Sequence, residues 1–248
     1  MCENCRHPHD LSPAPRAWSR RAMLGLVVAS SATVTLGRAA TAKDDKPPPE
    51  PQNVLTPDAA RARLAAGNAR YAGGISKRHD FTHEREALAG GQNPFAAVLG
   101  CADSRIAPEY AFDTARGDLF VCRVAGNFAS DETVASLEYA VAVLNTPLIL
   151  VLGHEACGAV DATIKSLKDG TTLPGHLPSL VTALAPAVKT SAQQPGNALD
   201  NAIKQNVLDN VAKLKAATPI LSAAVEQNKL KVVGGVYRLR DGRVDMVG

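Results

Sequence analysis

The stretch Pro147-Leu148-Ile149-Leu150-Val151-Leu152-Gly153-His154-Glu155-Ala156-Cys157-Gly158 decides how this chain is read. Its first half is an unbroken apolar run, the pattern of a strand covered on both faces, as in parallel sheets. Its second half sets an imidazole and a thiol where that strand ends and a small-residue turn begins. An earlier segment has the same plan: the apolar run Phe95-Ala96-Ala97-Val98-Leu99 leads into Cys101-Ala102-Asp103-Ser104-Arg105. Open α/β sheets gather ligands at the carboxyl ends of their parallel strands, so the two motifs are expected to cap neighbouring strands and converge. Two thiols, an imidazole and a carboxylate then make Cys101, Asp103, His154 and Cys157 a ligand set suited to tetrahedral Zn²⁺.

Working outward, strands are predicted over 95–100, 118–123 and 147–153, with an amphipathic helix over about 131–144 and another beginning near Cys157. Thr56 as N-cap, Pro57 at the first helical position and Asp58 in the first turn open a helix through Ala59 to Tyr71, closed by Gly73-Gly74. Residues 176–227 are mostly helical in pattern, with Val207, Leu208, Val211 and Leu214 on one apolar face and a break at Pro195-Gly196. Val232 to Tyr237 and Arg243 to Val247 flank the turn Asp241-Gly242 and read as a hairpin. The expected fold is α/β: a mainly parallel central β-sheet flanked by helices, with a C-terminal hairpin strand and an N-terminal helical arm. The length of 248 residues, with 46% apolar and 21% charged side chains, suits one sizeable core over residues 56–248.

Residues 1–42 read as an export signal. Arg20-Arg21 precedes an apolar, small-residue stretch from Ala22 to Gly37, and Ala40-Thr41-Ala42 offers a peptidase site before Lys43. That stretch falls short of the about 20 residues that span a bilayer, and no cysteine follows the cleavage point to carry a lipid, so no stable membrane anchor is expected after cleavage. Twin-arginine export carries folded proteins, which suits a cofactor loaded beforehand and a periplasmic destination. Residues 43–55, with Pro47-Pro48-Pro49, read as a linker. Five of the 27 basic residues and two of the 24 acidic ones lie in the leader, so the formal charge of +3 belongs to it and the remainder is neutral. No nucleic-acid partner is indicated. Cys2-x-x-Cys5, with His7 and His9, lies in the Pro-interrupted part of the leader and is taken as unstructured. Cys101, Cys122 and Cys157 remain, too few for a disulfide framework. Cys122, in Leu119-Phe120-Val121-Cys122, is expected to be a buried packing residue.

Cys-x-Asp-Ser-Arg after one strand and His-x-x-Cys-Gly after a later one, with Gly117-Asp118-Leu119-Phe120, Arg123-Val124-Ala125-Gly126-Asn127 and Ser136-Leu137-Glu138-Tyr139-Ala140 between them, resemble the β-class carbonic anhydrases from about Thr56 to Gly248. The resemblance implies reversible hydration of CO₂ to bicarbonate and a proton by zinc-bound hydroxide, in a homodimer or a higher homo-oligomer built from dimers. It implies that Asp103, held by Arg105, orients the nucleophile, and that Asp103, once released, can take the fourth metal position and shut the site. It also implies Gln92 as a donor to substrate, with Phe120, Ala125, Tyr139 and Gly158 at a pocket formed partly across a dimer interface. Without it, Gln92 is a loop residue, Phe120 and Ala125 are core, and Tyr139 is a helix residue facing the sheet.

The chemistry can be argued apart from the family. Three protein ligands and one exchangeable position define a catalytic zinc, which lowers the pKa of bound water from near 16 to roughly 7. Two thiolates donate more charge than neutral imidazoles, so that water is expected to be less acidic here. Asp103 and Arg105, at offsets of two and four from Cys101, can form a bidentate pair on the metal side of the turn. His79, His83 and His176 have no partner spacing and are taken as surface residues. A zinc deaminase would need His-x-Glu and a second cysteine pair. A cysteine hydrolase pairing Cys101 with His154 would leave Cys157, Asp103 and Arg105 without roles. Hydrolysis of CS₂ or COS on the same fold, or a non-catalytic zinc protein that binds bicarbonate or senses thiols, remain as alternatives.

Overall fold

Strand β1 (Ala96–Gly100) is buried at all five positions and lies between two parallel neighbours, β2 (Leu119–Arg123) and β3 (Leu148–His154). This computed structural model describes residues 55–248; the leader 1–42 and the linker short of Leu55 lie outside the described residues. Beyond β3 comes β4 (Lys231–Tyr237), also parallel, and then β5 (Val244–Val247), which runs antiparallel to β4 as the expected hairpin. The sheet order is β2-β1-β3-β4-β5. The unbroken apolar runs thus form the interior strands, whereas β2, at the edge, is only half-buried.

Alternation along the strands assigns the helices to faces. Ala97, Leu99, Ile149, Val151 and Val232 point to one core with Leu137, Val207, Val211, Leu214 and Leu221. These come from α4 (Asp131–Ala142), α7 (Ala198–Lys215) and α8 (Ile220–Glu226). Ala96, Val98, Leu148, Leu150 and Leu152 point to the other, with Ala60 and Leu64 of α1 (Pro57–Ala72). Helices α5 (Gly158–Asp169) and α6 (Leu177–Ser191) supply Val160 and Leu184 to a third cluster that contains Cys101 and Cys157. Pro195-Gly196 falls between α6 and α7, as predicted.

Close approach explains two glycines. A Cβ at Gly153 would stand 2.7 Å from a Val207 methyl, so the apolar face of α7 can seat on β3 only where the strand has no side chain. In α1, a Cβ at Gly67 would stand 1.9 Å from the Phe112 carbonyl oxygen, which lets this helix lie against the α3 (Pro108–Ala111) loop. Thr56 caps α1 through its hydroxyl, which accepts the Ala59 N–H at 3.2 Å. Ala60, Leu64, Gly67 and Asn68 recur along its buried face. Asn68 then ties three elements: its amide donates to the Ala111 and Gly242 carbonyls and its oxygen accepts the Val244 N–H.

Two short helices escape the sequence reading, α2 (Phe81–Leu88) and α3. Helix α2 buries no residue, so it has no apolar period; its start is marked by Asp80, which accepts the His83 N–H. Two expectations need correction. Cys122 is half-buried, because β2 has no neighbour on its outer side. His79 is not a free surface residue: its ring pairs with Glu84 at 3.1 Å and stacks on Phe81. No helix among the described residues is long and apolar enough to cross a membrane.

Candidate metal centre

Because β1 and β3 are hydrogen-bonded neighbours with Gly100 opposite Leu152, their ends deliver Cys101 and His154 to the same spot. A tight turn follows, with Ala156 in the left-handed region at φ 51°, and sets Cys157 at the N-cap of α5. One donor atom each from Cys101, His154 and Cys157 lies within 4.8 Å of the other two, and all three residues are buried. The sequence reading put these three together, and the fold does so.

The imidazole bears on what the cluster can hold. His154 Nδ1 lies 2.8 Å from the Glu155 carbonyl oxygen, which can only accept, so Nδ1 carries the proton and Nε2 presents its lone pair. Nε2 is buried and has no hydrogen-bond partner. A buried polar atom left so is costly, and a cation between it and the two sulfurs satisfies it. The neighbouring Cys157 thiol lowers that of Cys101, while the same contact and burial push the Cys157 thiol up. The Gly126 N–H supports the Cys101 sulfur at 3.3 Å. Soft sulfur and neutral imidazole donors in this number fit Zn²⁺.

Asp103 stands beside the cluster, its Oδ2 3.9 Å from His154 Nε2. Arg105 grips it by two parallel bonds, Nε to Oδ1 at 2.9 Å and Nη2 to Oδ2 at 2.7 Å, and the Arg105 backbone N–H adds a third at 2.9 Å. This guanidinium holds the Asp103 carboxyl well below the usual carboxylate range. Arg105 Nη2 also donates to the Ala156 carbonyl at 3.2 Å, which joins the two motifs. A residue without an assigned role in the sequence reading completes the frame. Arg123, at the end of β2, donates to the carbonyls of Cys101, Asp103 and Ile106 at 2.9, 2.7 and 2.9 Å. Its signal was a cation closing an apolar strand.

The residues assigned to the pocket are brought together only in part. Phe120 and Tyr139 face each other with ring centroids 6.3 Å apart, and Tyr139 is 47% exposed. Ala125 is half-buried, next to the Gly126 that bonds Cys101, and Gly158 is exposed at the start of α5. Gln92 is exposed in the loop that enters β1, whereas Cys101 follows its far end. A five-residue strand is about 17 Å long, so the strand itself separates the two within one chain.

Sheet and donor set define a metalloenzyme of the α/β class, with two thiolates, one imidazole and a carboxylate–guanidinium pair at the strand ends. Comparison with known proteins narrows that class. A carbonic anhydrase family profile matches residues 96–244. Carbonic anhydrase 2 of Mycobacterium tuberculosis is 40% identical over 188 residues, which cover 75% of this chain and 91% of the relative. A carbonic anhydrase of Mycolicibacterium smegmatis is 38% identical over 191 residues, 77% of this chain and 93% of the relative. Among solved structures, one of two tetrameric β-carbonic anhydrases of Sordaria macrospora is 28% identical, with a TM-score of 0.62 over 76% of this chain and 96% of that one. The chain belongs to the β-carbonic anhydrases. Zinc is the metal of this family, and the donors at Cys101, His154 and Cys157 fit it.

Proposed function

We propose that this chain catalyses CO₂ + H₂O ⇌ HCO₃⁻ + H⁺, with Cys101, His154 and Cys157 holding zinc. The observation that carries the reading is the buried, partnerless Nε2 of His154 facing two thiols, with the Asp103 carboxylate 3.9 Å away. Zinc, when bound, supplies the Lewis acidity that makes a hydroxide nucleophile available near neutral pH. Asp103, kept charged and aimed by Arg105, accepts a hydrogen bond from the attacking oxygen and turns its lone pair toward carbon. Released from Arg105, the same carboxylate, 3.9 Å from His154 Nε2, would be free to turn toward the three donors and could itself serve as a ligand, closing the site. CO₂ has weakly accepting oxygens and no dipole, so its pocket calls for apolar walls and few donors. Ala125 and Gly158 border the centre within the chain, whereas Phe120, Tyr139 and Gln92, which lie toward the opposite end of β1 and β2, would supply walls and donor from a second copy. A homodimer or a higher homo-oligomer follows from that sharing.

We further propose that residues 1–42 take the folded chain through the twin-arginine route to the periplasm and that the Pro-rich residues 43–55 link this signal to the domain. Lysines in place of Arg20 and Arg21 should keep the precursor in the cytoplasm, as fractionation would show. For the reaction, stopped-flow hydration of CO₂ by the purified chain should track zinc content. Full turnover after exhaustive chelation would refute it, and turnover of CS₂ or COS without CO₂ hydration would move the chemistry to those substrates.

A further inference from the structure

We propose that Glu155 is a positioning residue, which clamps the metal-binding turn onto the β4–β5 hairpin and thereby fixes the imidazole of His154. The inference rests on the zinc reading above and adds to it a residue outside the ligand set.

Glu155 makes three bonds from one position, each in a different direction. Its carbonyl accepts the His154 Nδ1–H at 2.8 Å and so sets the tautomer and the plane of the ring. Its N–H donates to the Tyr237 carbonyl at 3.0 Å, extending the β3–β4 pairing one residue past His154. Its carboxylate Oε2 accepts the N–H of Leu239 at 3.0 Å, and Oε1 lies 3.8 Å from Arg238 Nε. The chain reverses directly afterwards, where Ala156 adopts φ 51°, a conformation that L-residues avoid. Such a turn persists only when its surroundings hold it. Arg105 holds one side, through the Ala156 carbonyl, and Glu155 holds the other, through the hairpin. If the carboxylate lets go, the peptide between residues 155 and 156 is free to rotate, and the carbonyl that orients His154 moves with it. Glu155 therefore acts on the metal through His154 and does not touch the reacting atoms.

The test is zinc affinity of the metal-stripped full chain, measured against a chromophoric chelator, with the visible spectrum of the Co²⁺ form as a second readout. Glu155→Ala should weaken zinc binding roughly 10–100-fold and shift the Co²⁺ bands. Glu155→Gln, whose amide oxygen still accepts from Leu239, should stay near wild type in both. Should Glu155→Ala fold poorly, Glu155→Asp is one methylene too short for Leu239 and should lose affinity in the same way. Wild-type affinity and an unchanged Co²⁺ spectrum in Glu155→Ala would overturn the inference, as would a Gln variant as weak as the Ala one. A wild-type chain that binds no zinc in the same titration would instead bring down the metal reading itself, and this inference with it.

Discussion

Asp103 reaches the site through a two-point pair with Arg105 and a side chain that is still 17% open to solvent. Exposed pairs of this kind contribute little to stability, so its value lies in aim and charge. Asp103→Asn keeps the shape and removes the charge. The expected outcome is full zinc content with turnover reduced about 10²–10⁴-fold, read by metal analysis and stopped-flow hydration on the same sample. Little change in turnover per folded molecule, with a folding defect, would make the pair structural. The three candidate ligands were legible because their chemistry is written in spacing: thiol and imidazole three residues apart, each motif closing an apolar run. Arg123 and Glu155 were not, because their partners are main-chain groups of Cys101, Asp103, Ile106, Tyr237 and Leu239, which look alike in every sequence.

At the scale of elements, the strands and the long helices could be read from apolar runs and from caps such as Thr56-Pro57-Asp58. Helix α2 could not, since nothing on it is buried and no period betrays it. Nor could the way α1 is fastened. Arg63 reaches Asp118 at 2.9 Å, and Asp113 takes both the Arg70 guanidinium and the Lys77 N–H. Burial alone would raise the Asp113 pKa; the Arg70 and Lys77 bonds outweigh it and leave the carboxyl below its ordinary value. A carboxyl depressed in the folded state stabilises the fold above its unfolded pKa of about 4, and that stability is lost as pH falls through the folded value. Asp113→Asn should therefore cost about 2 kcal/mol at neutral pH. Denaturant titrations should show the deficit begin to shrink below about pH 4, where the unfolded carboxyl takes up its proton, and shrink further as pH falls through the lower native value. An equal deficit at pH 7 and at pH 2.5 would assign it to packing.

For the whole molecule, the separation of Gln92 from Cys101 along β1 turns the proposed role of Gln92 into a question of which chain it serves. Mixed dimers test this. One chain carries Gln92→Ala with its metal centre intact; the other carries Asp103→Asn and lends its own Gln92. If the glutamine serves its partner, one of the two sites is wild type, and the mixed dimer should turn over at about half the wild-type rate, far above either variant alone. No recovery would confine Gln92 to its own chain. The bond from Asn68 to Gly242 carries a consequence for how this molecule comes into being. It joins positions 174 apart, so α1, which Ala111, Asp113 and Asp118 already hold, gains its last anchor only when the closing hairpin has formed. A contact of that span belongs to the slow, non-local part of folding, after the local helices have formed.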